Sequence, residues 1–248
     1  MTTVSRLMRR STPWYEFWAG ARQTIPLIVG AIPFGLIFGT LAQASGLSFW
    51  GAMGMSAVVF AGSSQFIALG LLGAGTPLGM IVLTTWVVNL RHLLYAVSLV
   101  PYVKHLSQLW KLPLGFWLTD ENFMVAIQRY RQDDISPHKH WFQLGSALAM
   151  YLNWQLSTLV GLTLGQSIPN ASAWGLDFAM VATFIGMTIP YLVNRPMVAT
   201  VIVSAVVALL ARGMPHQLGL MVAAIAGILT GILTENRLKT KKETTIHG

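Results

Sequence analysis

The chain has 248 residues, of which 54% are apolar and only 10% charged, against about 25% charged in an average soluble domain. Its formal net charge is +8, from 16 Lys and Arg against 8 Asp and Glu, and it contains no cysteine. A soluble globule, a disordered chain and a disulfide scaffold are thereby excluded, which leaves an all-α, polytopic helical membrane protein.

The basic residues bracket the apolar part. Arg6, Arg9, Arg10 and Arg22 precede it, and Arg237, Lys239, Lys241 and Lys242 follow it. Basic residues flanking spans are held on the cytoplasmic side. Residues 1–24 are therefore expected as a cytoplasmic or interfacial basic segment, 25–234 as a single transmembrane helical domain, and 235–248 as a basic cytoplasmic tail. Both termini then face the cytoplasm and the number of crossings is even. No basic stripe interleaves with aromatics as single-strand binding requires, so the bilayer is the expected partner and nucleic acid is not. Trp14, Tyr15, Phe17 and Trp18 mark a stretch lying against the bilayer before the first crossing. Ala42-Gln43-Ala44 has the form of a signal cleavage site, but the apolar run ahead of it exceeds the length of an h-region and reads as a retained span.

Apolar segments follow at about 25–44, 49–73, 77–100, 112–130, 142–165, 174–193, 197–212 and 216–234, joined by short connections rich in Gly, Pro and Ser. Six to eight of them are expected as hydrophobic helices, some broken or re-entrant. Strict alternation of all eight would place Lys104 and Lys111 outside. A segment 49–73 that returns to the side it left, with 112–130 not fully crossing, keeps Lys104 through Lys139 cytoplasmic. Pro26 and Pro33 fall inside the first segment, where freed backbone groups need neighbouring helices, water or a lined cavity. The spacings Gly35/Gly39, Gly161/Gly165 and Gly227/Gly231 allow close helix approach.

Three polar constellations interrupt the apolar stretches, where polar atoms are costly and mark function. The first is Phe60-Ala61-Gly62-Ser63-Ser64-Gln65-Phe66. An unwound turn there would present carbonyls and hydroxyls near the midplane, as broken helices do in secondary transporters. The bland alternative has Ser63 and Ser64 bonding back to preceding carbonyls and Gln65 bonding a neighbouring helix. The second is Asn89-Leu90-Arg91-His92 with Tyr95, whose polar members share half a helix surface. A central Arg costs at least about 2.5–3.5 kcal/mol to insert, so Arg91 must face a cavity or an acid; the alternative is a structural lock between helices. The third is Thr119-Asp120-Glu121-Asn122. Its two acids are the natural counter-charges for Arg91 and His92, and a buried acid there becomes a proton carrier. A solvated turn near Arg129 and Arg131 is the alternative. His138-Lys139-His140 reads as a solvated loop, with no metal site.

No P-loop, dinucleotide fingerprint or H-E-x-x-H is present, so no cofactor is expected and cofactor-free secondary transport fits what remains. A passive channel or an accessory membrane subunit is the nearest rival. An intramembrane serine hydrolase using Ser63 or Ser64 with His92 is a remote one.

Ile32-Pro33-Phe34-Gly35, Ala61 to Phe66, Asn89 to Tyr95 and Leu118 to Phe123 occur in that order and spacing, and together they resemble the AzlC family of bacterial inner-membrane proteins. The likeness carries specific motifs over residues 20–130 and rests mainly on length and hydropathy beyond. It implies export of branched-chain amino acids, in some members also methionine, with the proton-motive force. It also implies a small AzlD-type membrane partner of about 100 residues, room for a few spans of about 20 residues. Some members carry an acid where this chain has Asn89. The substrate and ion pathway is expected to comprise Pro33, Gly62, Ser63, Ser64, Gln65, Asn89, Arg91, His92, Tyr95, Thr119, Asp120 and Glu121; on the reading of the residues themselves, Arg91 or the Ser63–Gln65 dipoles would meet the amino-acid carboxylate and Asp120 or Glu121 the ammonium.

Overall fold

The computed structural model describes residues 12–134, 136–165, 185, 189, 192–214 and 218–247; the expected segment 174–193 lies almost wholly outside them. Every regular element among the described residues is a helix. They are α1 (Pro13–Ala44), α2 (Phe49–Val58), α3 (Gly62–Gly73), α4 (Leu78–Val103), α5 (Gln108–Phe116), α6 (Asp120–Tyr130), α7 (Lys139–Leu164), α8 (Arg195–Leu210) and α9 (Leu218–His247). Among them α1 and α4 are long and apolar enough to cross a membrane.

Local chemistry sets the boundaries. Thr12 caps α1 by accepting from Tyr15 N at 3.2 Å, with Pro13 in the first turn. The chain then runs helical through Trp14 to Trp18 into the first apolar segment without interruption. The interfacial aromatic stretch set apart in the sequence is thus the start of α1 itself. Pro26 and Pro33 lie inside this helix and do not end it. Ser48 caps α2 through Gly51 N at 3.0 Å, and Asn194 caps α8 through Met197 N at 3.0 Å. The turns after α1 and α3 use Gly46 at φ 86° and Gly75 at φ 67°, a region open to glycine without a Cβ penalty.

Two apolar segments are broken. Segment 49–73 divides at residues 59–61 into α2 and α3, and the stretch 108–130 divides at 117–119 into α5 and α6. These pieces are about 14–18 Å long, half the depth of a bilayer core. Met55 on α2 packs against the Ala68, Leu71 and Ile81 cluster. Residues of α3 and the start of α4 therefore lie alongside α2 rather than beyond its end.

The first compact unit, residues 1–74 and 81–174, is organised on α1 and α7. Thr24 Oγ1 donates to Ser146 Oγ at 2.6 Å, an offset of 122 residues, and Gly35 faces Ser157 at the same offset, so the two helices run parallel. Small residues bring them together. A Cβ on Gly145 would overlap the Phe17 carbonyl, one on Gly161 the Leu36 carbonyl, and one on Gly39 the Thr158 carbonyl. The second unit, residues 75–80 and 175–248, pairs α8 with α9. There Gly227 faces Ser204 and Gly231 faces Thr200, an antiparallel arrangement.

Candidate functional site

Arg91 stands at the middle of α4, about 20 Å from one end and 18 Å from the other. Its Nε lies 3.4 Å from Asp120 Oδ1, an ion pair without hydrogen-bond alignment. Asp120 is the first residue of α6, where the N-terminal end of the helix dipole favours a carboxylate. α6 is held beside α4 by stacked rings: Tyr95 on Phe123 at 4.7 Å and Tyr102 on Tyr130 at 5.3 Å. The pairs 91/120, 95/123 and 102/130 advance together, so α6 runs parallel to the second half of α4 and starts level with its middle.

Thr119 caps α6. Its hydroxyl accepts from Asn122 N at 3.5 Å while its own N–H donates to Asn122 Oδ1 at 3.1 Å. Asn122 Nδ2 donates in turn to the Trp117 carbonyl. This fixes where α6 begins, and hence where Asp120 sits. Glu121 is half-buried, and no ion pair engages it among the described residues.

Two residues before Arg91, Asn89 Oδ1 accepts from Ser64 Oγ at 2.5 Å, which ties α4 to the first turn of α3. Ser64 and Gln65 are fully buried. Gln65 Oε1 accepts from Trp154 Nε1 at 3.0 Å, while Gln65 Nε2, Ser63 Oγ and His92 Nε2 are buried with no hydrogen-bond partner among the described residues. Neither Ser63 nor Ser64 hydrogen-bonds His92. Ser64 donates to Asn89 rather than to His92, whose ring lies 6.0 Å from that of Tyr95. Gly62 opens α3 under the Trp154 indole, where a Cβ would come within 3.0 Å of the ring. The break itself contains Phe60 at φ 40°, an unusual conformation for a bulky side chain.

Side-chain contacts thus join Ser64 to Asn89 and, separately, Arg91 to Asp120, the two pairs sharing α4, and Gly62, Ser63 and Gln65 stand in the same first turn of α3. Pro33 is not brought to them; it lies exposed on α1. No group of three or more His, Asp or Glu suited to a metal occurs among the described residues.

The sequence profile of the AzlC protein family matches residues 26–168. The chain belongs to the AzlC family. Inner membrane protein YgaZ of Escherichia coli is 28% identical over 225 residues, 88% of this chain and 89% of its own. Branched-chain amino acid transport protein AzlC of Bacillus subtilis is 31% identical over 182 residues, 73% of this chain and 70% of its own. An uncharacterized membrane protein of Archaeoglobus fulgidus is 31% identical over 219 residues, 86% and 93% of the two chains. No solved structure matches significantly.

In this AzlC-family chain two groups of buried polar residues escaped the reading of motifs. One lies on α7, where Ser146, Trp154, Ser157 and Thr158 are buried against α1, α2 and α3, and Gln143 against Tyr130 of α6 and the Leu114 carbonyl of α5. The spacings 143/146, 154/157 and 154/158 along an apolar helix were the available signal. The other joins Glu16, 2% exposed, to Arg129, whose Nε donates to Glu16 Oε2 at 3.0 Å. Ser136 Oγ adds a bond to Glu16 Oε1 at 2.8 Å, and Arg129 Nη1 also reaches Asp134 at 2.8 Å.

Proposed function

We propose that this chain is the large subunit of a secondary transporter that exports branched-chain amino acids, Val, Leu and Ile and also Met, from the cytoplasm. Its transmembrane domain would work in the inner membrane, both termini cytoplasmic, beside a small AzlD-type membrane partner. The observation that carries this reading is the Arg91–Asp120 pair at mid-depth of α4, next to a helix that starts at a break. The two charges match the two ends of a zwitterion. Arg91, or the amide and hydroxyl dipoles of Ser63–Gln65, would meet the carboxylate, and Asp120 or Glu121 the ammonium. An arginine already paired with an acid is less costly at this depth than a lone one, and a bound amino acid can exchange partners with the pair. An apolar pocket separates side chains differing by one methylene by only about 1–3 kcal/mol, so specificity across aliphatic residues would be broad. Proton binding at an acid or His92 would couple export to the proton-motive force.

The test is efflux of leucine and valine from cells loaded with a dipeptide containing them, with and without the chain and its partner. Export that rises with the chain, falls on collapse of the proton gradient, and is lost in Arg91→Ala or Asp120→Asn variants that still insert is the expected result. Equal efflux with and without the chain overturns the transport reading. Flux indifferent to the proton gradient replaces it with a passive channel.

A further inference from the structure

α7 contributes nothing to the sequence motifs, yet three of its side chains converge on the break between α2 and α3. The last carbonyls of α2 have no intrahelical donor. Two of them receive donors from α7 instead: Tyr151 hydroxyl donates to the Ala57 carbonyl at 3.2 Å, and Gln155 Nε2 to the Ser56 carbonyl at 3.0 Å. Across the break, Trp154 Nε1 donates to Gln65 Oε1 at 3.0 Å. The Trp154 ring also lies 6.4 Å from Phe38 of α1 and covers Gly62. Tyr151 further meets the Phe60 ring edge-on at 4.9 Å, against the residue with φ 40°. The break supplies little of this support itself, since Ala61 at the N-cap of α3 offers no side-chain cap.

The geometry points to Tyr151, Trp154 and Gln155 as positioning residues of the transport site. They hold the break open from a helix locked to α1. In particular, Trp154 occupies the carbonyl end of the Gln65 amide. The Nε2 end is thereby left as a hydrogen-bond donor for the carboxylate of a zwitterionic amino acid. That atom is buried and without a partner among the described residues, which polar atoms in a finished protein core seldom are. This inference rests on the amino-acid transport reading and goes beyond it, by giving carboxylate recognition to Gln65 under the control of Trp154.

The experiment compares the full chain, reconstituted with its small partner, with Trp154→Phe, Gln65→Leu and the double variant in leucine counterflow. Trp154→Phe keeps a ring and removes the N–H. The expected result is a KM about five- to tenfold higher, the scale of losing one buried hydrogen bond, with little change in maximal rate or melting temperature. Adding Trp154→Phe to Gln65→Leu should then change nothing more, because the two act as a unit. An unchanged KM, additive effects, or a loss confined to melting temperature and abundance overturns the inference. A second measurement is independent of substrate. Since the chain has no cysteine, Ser63→Cys gives a single thiol, whose alkylation rate should change severalfold when Trp154 becomes Phe. If the unmodified chain moves no leucine, the amino-acid reading fails and this rate decides the positioning role, an unchanged rate overturning it.

Discussion

At the scale of single residues, the chain concentrates its cost at two points, the charge pair and the break. Arg91 and Asp120 are both partly accessible, 28% and 15%, so the pair is not sealed in the way a structural core pair is. Asp120→Asn would leave the guanidinium at mid-depth without its acid and would remove the charge favoured at the start of α6. Leucine export should fall at least about tenfold, equivalent to 1.4 kcal/mol, while Asp133→Asn, in the loop after α6, leaves it unchanged. Equal effects would mean that Asp120 only solubilises a turn. Phe60 permits a sharper test. A left-handed conformation costs an ordinary residue about 1–2 kcal/mol and glycine almost nothing. Both Phe60→Ala and Phe60→Gly lose the ring contact with Tyr151, but only alanine keeps the backbone penalty. The glycine variant should therefore melt above the alanine variant, the reverse of the order inside a helix. The opposite order would show that the turn relaxes once the ring is gone.

At the scale of elements, the contact between α1 and α7 fixes the helix that braces the break, and it is made by what the side chains lack. Gly39 and Gly161 let each backbone rest on the other, whereas Gly30 on the same α1 has nothing within 4 Å of an added Cβ. Gly161→Ala must push the helices apart at the Leu36 carbonyl, and Gly39→Ala at the Thr158 carbonyl; both should lower the melting temperature and shift leucine KM through the break. Gly30→Ala should be neutral or stabilising by up to about 1 kcal/mol from helix propensity. Thermal melts of the three variants check this, and a loss as large for Gly30→Ala as for Gly161→Ala would contradict the packing. The small-residue spacings were legible in the sequence because period four needs only counting. So was a discontinuity in 49–73, since four small residues before Gln65 make a poor lipid-facing helix. The division falls at residues 59–61, one step before the serines. The partners of that break were not legible. Tyr151, Trp154 and Gln155 stand on an apolar helix where aromatic and amide side chains could equally have faced headgroups, and only the parallel register with α1 turns them inward. Glu16 was hidden for a related reason. In a basic, aromatic N-terminal stretch an acid reads as solvated, and nothing local announces an arginine 113 residues away.

At the scale of the whole first unit, the two ends of α6 do different work. Asp120 at its start meets Arg91, and Arg129 near its end meets Glu16 of α1, so an 11-residue helix links the mid-depth pair to a buried ionic cluster about 14 Å away. Glu16 accepts from Arg129 and Ser136, Arg129 also reaches Asp134, and Lys139 at the start of α7 reaches Asp134 at 2.8 Å. Breaking such a cluster from one side strands a charge. Arg129→Ala should cost about 3–5 kcal/mol by leaving Glu16 buried and unpaired, and Glu16→Leu with Arg129→Leu should cost less than that single change. The acid limb of stability reads the same cluster at its exposed end. Burial works against the charge on Asp134, but the hydrogen bonds and charges of Lys139 and Arg129 outweigh it and hold its carboxyl below the ordinary value. A carboxyl lowered in the folded state contributes stability that is complete above its unfolded pKa and lost as pH falls through the folded one. Melting curves of the unmodified chain and of Asp134→Asn should therefore lie apart at neutral pH and converge below about pH 4. Curves that stay equally far apart well below that pH would mean that Asp134 acts through packing rather than charge, and would remove the loop from the cluster that ties α1, α6 and α7 together.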